Sequence, residues 1–232
     1  MSGRLILALW AACLPSLMAT AQASGPKAAA GQGFGYRVEI NTEGRIAQVM
    51  PEAATPAELQ PAMAAALNAL RFASPKREGH PATGTTFVYL RACPVKAGAA
   101  PRIRYFGHGP RWLTPSAPDF PSKAVHGNVE GHMRVEVAIH ADGHGEYVDM
   151  EAIVGGAPAK RAFRRAVVDW AAEQRFIPES LDGQPQAGVQ HIPAMFSLGR
   201  LEPPAGDVFD PCGDAAAPRP PADSLFTVVA QP

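Results

Sequence analysis

One order of local signals runs through this 232-residue chain twice, and that repeat constrains its fold more than any other feature. In the first pass Tyr36, Val38 and Ile40 alternate with Arg37 and Glu39, the period-two pattern of a half-buried strand. Thr42-Glu43-Gly44 is a turn signal, and Ile46 to Val49 resumes as a second strand, which makes a hairpin. A helix is expected next: Thr55 suits its N-cap, Pro56 its first position, and Glu58 completes a capping box. Leu59, Met63, Leu67 and Leu70 fall on one helical face, and Arg71-Phe72 closes the helix ahead of Ser74-Pro75. Thr85 to Leu90 reads as a third strand.

The second pass keeps the order. Met133, Val135, Val137 and Ile139 alternate with polar residues, Asp142-Gly143 makes a tight turn, and Tyr147 to Ile153 returns. Pro158 opens a helix with Phe163, Val167 and Trp170 on one face, and Val189 to Leu198 is the third strand. Gly44 matches Gly143, Phe72-Ala73-Ser74-Pro75 matches Phe176-Ile177-Pro178, and Gly79-His80-Pro81 matches Gly183-Gln184-Pro185. The fold class implied is α+β: two tandem ββαβ domains, each a small antiparallel sheet with one helix packed on one face.

The flanking segments complete a division of the chain. Residues 1–23 read as an export signal: Arg4, an apolar run of about 14 residues from Leu5 to Met18, and small residues at Ala21 and Ala23. An uncleaved anchor facing the periplasm is the alternative, but the run is shorter than the roughly 20 residues that span a bilayer and contains Pro15. Residues 24–34, including Gly31-Gln32-Gly33-Phe34-Gly35, are expected as a flexible leader, 35–93 as the first domain, and 118–199 as the second. Between them 94–117 is rich in Pro and Gly and reads as a linker, with at most a short strand at Arg102 to Phe106. Residues 200–232 form a Pro/Ala-rich tail. With the signal removed, Cys93 and Cys212 remain, an even count suited to a disulfide in an oxidising compartment, with two free thiols as the alternative.

Function classes are narrowed by what the residues lack. The formal net charge is +0, so no electrostatic footprint for nucleic acid is present. No nucleophile elbow, HExxH or phosphate-cradling loop occurs, so no catalytic residue and no cofactor is assigned and the chain is read as a non-enzyme. His126, His132, His140 and His144 cluster in sequence, but His132 and His140 lie roughly 26 Å apart along one strand, and no metal site is assigned. Arg161, Arg164 and Arg165 read as a solvated helix face, with an acidic partner segment as the alternative.

The second repeat resembles the TonB C-terminal domain family. The resemblance rests on an ordered set spread over about 118–199: Phe120-Pro121, Gly131 before the first strand, Asp142-Gly143 at the turn, Trp170 late in the helix, Arg175-Phe176-x-Pro178, Asp182-Gly183-x-Pro185 and Pro193-x-x-Phe196. The first repeat, about 35–92, is a degenerate match that lacks the Trp. The resemblance implies a periplasmic protein-binding module that takes an extended segment of an outer-membrane receptor or other envelope protein as an added strand. An edge strand's unpaired N–H and C=O groups supply the physical basis. The third strand is then the expected edge, with Gln190, Ile192, Ala194 and Phe196 as its neighbourhood and Pro193 suited to an edge position. Energy-transducing members carry a retained membrane helix and a long spacer, which this sequence lacks on this reading, so binding is implied and force transmission is not. The alternative is a structural or accessory envelope protein that forms a homodimer or scaffolds a complex without capturing peptide. The end of the tail, Asp223-Ser224-Leu225-Phe226-Thr227-Val228-Val229-Ala230, loosely resembles a TonB box; it is read as a slightly sticky disordered end, with addition to a sheet edge in the same chain or a neighbour as the alternative.

Overall fold

The computed structural model describes residues 33–93, 102–113, 115–199, 212 and 224–231. The expected signal peptide, most of the leader and most of the tail lie outside the described residues. In chain order the first elements are β1 (Gly33–Ile40), β2 (Ile46–Pro51), α1 (Gln60–Ala69), β3 (Arg71–Phe72), β4 (Lys76–Arg77), β5 (His80–Pro81) and β6 (Gly84–Cys93). They are followed by β7 (Arg102–Gly109), β8 (Arg111–Trp112) and the short α2 (Ser122–His126). The second unit holds β9 (Gly131–Ile139), β10 (Gly145–Val154), α3 (Gly156–Glu173), β11 (Phe176–Ile177), β12 (Ser180–Leu181), β13 (Gln184–Pro185) and β14 (Gly188–Phe196). The last strand is β15 (Val228–Ala230). The chain is α+β, with antiparallel pairing throughout the described ladders.

The two passes agree down to single hydrogen bonds. Asn41 N–H donates to Arg45 C=O (2.9 Å) and Gly44 N–H to Asn41 C=O (3.0 Å); His140 N–H donates to His144 C=O (2.9 Å) and Gly143 N–H to His140 C=O (2.8 Å). After each helix a phenylalanine N–H returns to the hairpin glycine: Phe72 to Gly44 C=O at 2.9 Å and Phe176 to Gly143 C=O at 2.8 Å. The preceding arginines cap both helix ends through Nη1, Arg71 on the carbonyls of Asn68 and Leu70 and Arg175 on those of Ala172 and Gln174. Each unit then makes a two-residue hairpin whose turn takes positive φ, Glu78-Gly79 in one and Asp182-Gly183 in the other, as such a turn requires.

Each unit has its own core. In the first, Val38, Ile40, Leu67, Leu70, Val88 and Leu90 lie buried between sheet and helix. In the second, Phe163 stacks on Phe196 with centroids 3.9 Å apart, and Phe120 meets both rings edge-on at 5.5 and 5.7 Å. Contacts of this kind add about 0.5–1.5 kcal/mol each beyond area burial.

Three expectations are corrected. The first strand begins at Gly33, inside the expected leader, because Phe34 and Tyr36 continue the buried alternation and pair with Leu90 and Val88. Helix α1 starts at Gln60 with Leu59 as its uncapped N-cap: the Thr55 hydroxyl meets the Tyr36 hydroxyl (3.0 Å) instead, and Pro56 to Leu59 forms a turn. The expected linker holds an eight-residue strand, β7, paired with β6, and β8, which pairs with β11. Glycines in β7 hid its period; Tyr105 is buried in the first core, and Ile103 packs against it. Cys93 and Cys212 are joined in a disulfide.

Candidate functional site

The second sheet has the order β10-β9-β14, so among the described residues β14 pairs with one neighbour only. Its register with β9 runs without interruption from Gly188↔Ile139 to Phe196↔Gly131. The opposite rim, β10, is broken by register shifts between Tyr147/Asp149 and Ala152/Val154. Bulges of this kind bend a strand and blunt its edge. The straight rim is therefore β14.

Which groups that rim offers follows from the hairpin. His140 bonds across to His144, so even-numbered residues of β9 turn their main-chain groups toward β10 and odd-numbered ones toward β14. Odd residues of β9 pair with even residues of β14. Gln190, Ile192, Ala194 and Phe196 thus bond inward to β9, and the side chains of Ile192, Ala194 and Phe196 are buried under the helix. The outward groups belong to the residues between them: the N–H of Val189, His191 and Met195, and the C=O of these three and of Pro193. Proline sits at a position where no inward donor is needed, as its chemistry demands. The neighbourhood expected from the sequence, Gln190, Ile192, Ala194 and Phe196, lies on this strand with its main-chain groups paired to β9.

A groove of about 450 Å³ lies beside the C-terminal half of this rim, between Pro193, Met195 and His132 on one side and Pro115 to Pro118 on the other. The opposite wall is fixed to the end of α3. Trp170 Nε1 donates to Ser116 C=O (3.0 Å), and Trp112 Nε1 donates to Gln174 Oε1 (2.9 Å). The two indoles meet edge-on at 6.1 Å, and Leu113 N–H donates to Arg175 C=O. Trp170, singled out in the sequence, is a core residue that holds the groove wall. Burial holds the His132 imidazole below its ordinary pKa. The exposed sheet face carries the Arg134–Glu151 ion pair at 3.0 Å and brings His191 within 3.8 Å of the Glu136 carboxylate.

The equivalent rim of the first unit is closed. One side of β6 pairs with β1; the other takes β12 at Gly84 and Thr85 and β7 from Phe87 to Cys93. β12 and β13 are the post-helix hairpin of the second unit, so the two units share one sheet. The joint is locked by Glu179, buried with its carboxylate accepting from the Thr86 hydroxyl, and by Arg111–Glu52 at 2.8 Å.

The grouped histidines bond different partners: His126 bonds Ser122 C=O, His140 pairs with Glu146, and His144 with Asp142. Among the described residues no three His, Cys, Asp or Glu side chains form a metal-binding group. Among them, also, no helix is long and apolar enough to cross a membrane.

Residues 116–198 match the family model of the Gram-negative bacterial TonB protein C-terminal, a span that runs from the groove wall to just past the end of β14. No curated protein matches the chain. Over this span the second unit is similar to the TonB C-terminal domain family.

Proposed function

We propose that this domain captures an extended peptide segment of an envelope protein by strand addition along β14, in a setting linked to transport through outer-membrane receptors. The observation that carries this reading is the bulge-free rim with its row of outward main-chain groups, bordered by the 115–118 wall. Three donors and four acceptors await a guest backbone, each hydrogen bond contributing about 0.5–1.5 kcal/mol net. The first unit, with its third-strand rim filled by the chain itself, serves as a scaffold in this arrangement.

Amide exchange tests the reading at single residues. In the free protein Val189, His191 and Met195 exchange fast while Gln190, Ile192 and Ala194 are protected; adding a peptide from the periplasmic end of an outer-membrane receptor slows the first set. His191→Pro removes one outward donor and leaves the β9 ladder intact, so it weakens capture by about 2- to 12-fold with little loss of stability. Capture of unchanged affinity in this variant, or protection that does not change at the odd positions, refutes strand addition at β14.

A further inference from the structure

The chain's own tail shows a second site, on the first unit. Ser224 to Ala230 docks as a short linear peptide would. Phe226 is its main anchor, buried in the first core and edge-on to Phe72 at 6.2 Å, with Val228 packed against the same core and Leu225 and Val229 exposed. The ring stands over Gly84, where a Cβ would come within 2.2 Å of it. The main chain is held on both sides: Leu225 N–H donates to Glu179 Oε2 (2.8 Å), His108 Nε2 donates to Phe226 C=O (2.7 Å), and Ala73 N–H donates to Thr227 C=O (2.8 Å). β15 then pairs with β3, Val228 against Phe72 and Ala230 against Arg71. The Ser224 hydroxyl donates to Glu179 Oε1 (2.8 Å) and accepts from Phe226 N–H (3.2 Å), which reads a hydroxyl two positions before the aromatic ring.

The receiving side is built for this. Glu179 and His108 are both buried, and each directs a polar atom at the tail's backbone. Thr86 and Tyr105 hold them from behind, Thr86 donating to Glu179 and the Tyr105 hydroxyl to His108 Nδ1. We propose that this cleft, walled by β3, β7, Gly84 and the Glu179 loop, is a peptide-binding site separate from the β14 rim. Its ligand class is an extended segment with a hydroxyl residue, any residue, an aromatic residue, and then β-branched residues. The tail occupies it in cis, tethered twelve residues upstream through Cys212 to Cys93 at the end of β6. Such a tether keeps the tail at high effective concentration, so a competing segment of the same pattern must displace it.

The test uses the full chain carrying Phe226→Ala and a fluorescent peptide of sequence 223–231. The peptide binds this variant saturably and the unaltered chain at least about tenfold more weakly, because the cis tail competes there. Adding Gly84→Ala to the variant abolishes binding while leaving the fold intact, since the ring that would clash is gone. A peptide with Ala at the Phe226 position does not bind. If Phe226→Ala unfolds the chain, a chain ending at Pro221 takes its place. No binding to a folded variant, binding indifferent to Gly84→Ala, or the failure of both variants to fold overturns the proposal.

Discussion

Gly143 is the position where the structure makes the sharpest energetic statement. It sits at φ 86°, and a Cβ there would lie 2.3 Å from the Phe176 carbonyl oxygen. In Gly143→Ala the positive φ costs about 1–2 kcal/mol. The collision also forces the Phe176 backbone away, weakening the Phe176 N–H to Gly143 C=O hydrogen bond, worth about 1 kcal/mol. Lower unfolded-state entropy returns about 0.4–1 kcal/mol. The net destabilisation is about 1–3 kcal/mol, or about 2–12 °C in Tm for a chain of this size. Gly183 is the control: φ is 73° but no atom lies within 4 Å of the added Cβ. Gly183→Ala carries only the backbone cost, about 1 kcal/mol. Gly44, with Phe72 C=O at 2.0 Å, should behave like Gly143. Urea and thermal unfolding of the three variants decide the matter. Equal effects at Gly143 and Gly183 would show that the helix-to-hairpin contact shared by both units is not what these glycines serve.

Other outcomes follow from the same geometry. Cys93 and Cys212 are 119 residues apart, so Cys212→Ser or reduction lowers unfolding stability by about 4–5 kcal/mol on the loop-entropy model, read as a shift in the urea midpoint with the slope recorded alongside. Burial holds the His108 imidazole below its ordinary value of 6.5, opposed by its hydrogen bond to Phe226 C=O. A depressed folded-state pKa means stability present above about pH 6.5 and lost as pH falls through the folded value, a loss that His108→Gln removes. Burial raises the Glu179 carboxyl, which gives the opposite slope: its contribution is complete below pH 4.5 and shrinks as pH rises, so the His108→Gln difference curve isolates the imidazole. Trp170→Phe removes the indole bond to Ser116, loosens the 115–118 wall and weakens peptide capture with a smaller effect on the second core; equal losses in both would assign Trp170 to packing alone.

The elements that were legible in the sequence are those whose period comes from their own burial. β9 and α3 each bury one face, and Met133, Val135, Phe163 and Val167 announce it. The hairpins were legible through turn chemistry, since Gly44 and Gly143 are needed by the backbone whatever surrounds them. The missed features depend on partners far along the chain. β7 has a weak period of its own and is a strand because β6 offers seven residues of ladder. Thr55 is a good cap locally, but the Tyr36 hydroxyl claims it. Glu179 carries no motif; its role exists only where Thr86, Ser224 and the Leu225 N–H converge on it. The end of the tail, for which strand addition was only the alternative reading, pairs with the two-residue β3 and is anchored by Phe226, a partner the local sequence does not name.

The two units use one design for opposite ends, and the cause is a single hairpin. Each unit makes a post-helix hairpin with a positive-φ turn, and each has a third strand with outward polar groups. The hairpin of the second unit, β12–β13, reaches the rim of β6 and, with β7, covers it. The hairpin of the first unit, β4–β5, pairs only with itself, so among the described residues β14 has no second neighbour. A covered rim contributes to stability and cannot accept a guest; an open one carries the exposure that natural edges limit by charge or proline. Pro193, set among the outward-facing residues, is that limit. It removes one donor from the row, which lowers the tendency of two copies to pair rim to rim while leaving three donors for a partner. Pro193→Val should therefore strengthen self-association through β14, measured by sedimentation at increasing concentration. A variant that self-associates no more than the parent would mean that the rim is protected by something other than its proline.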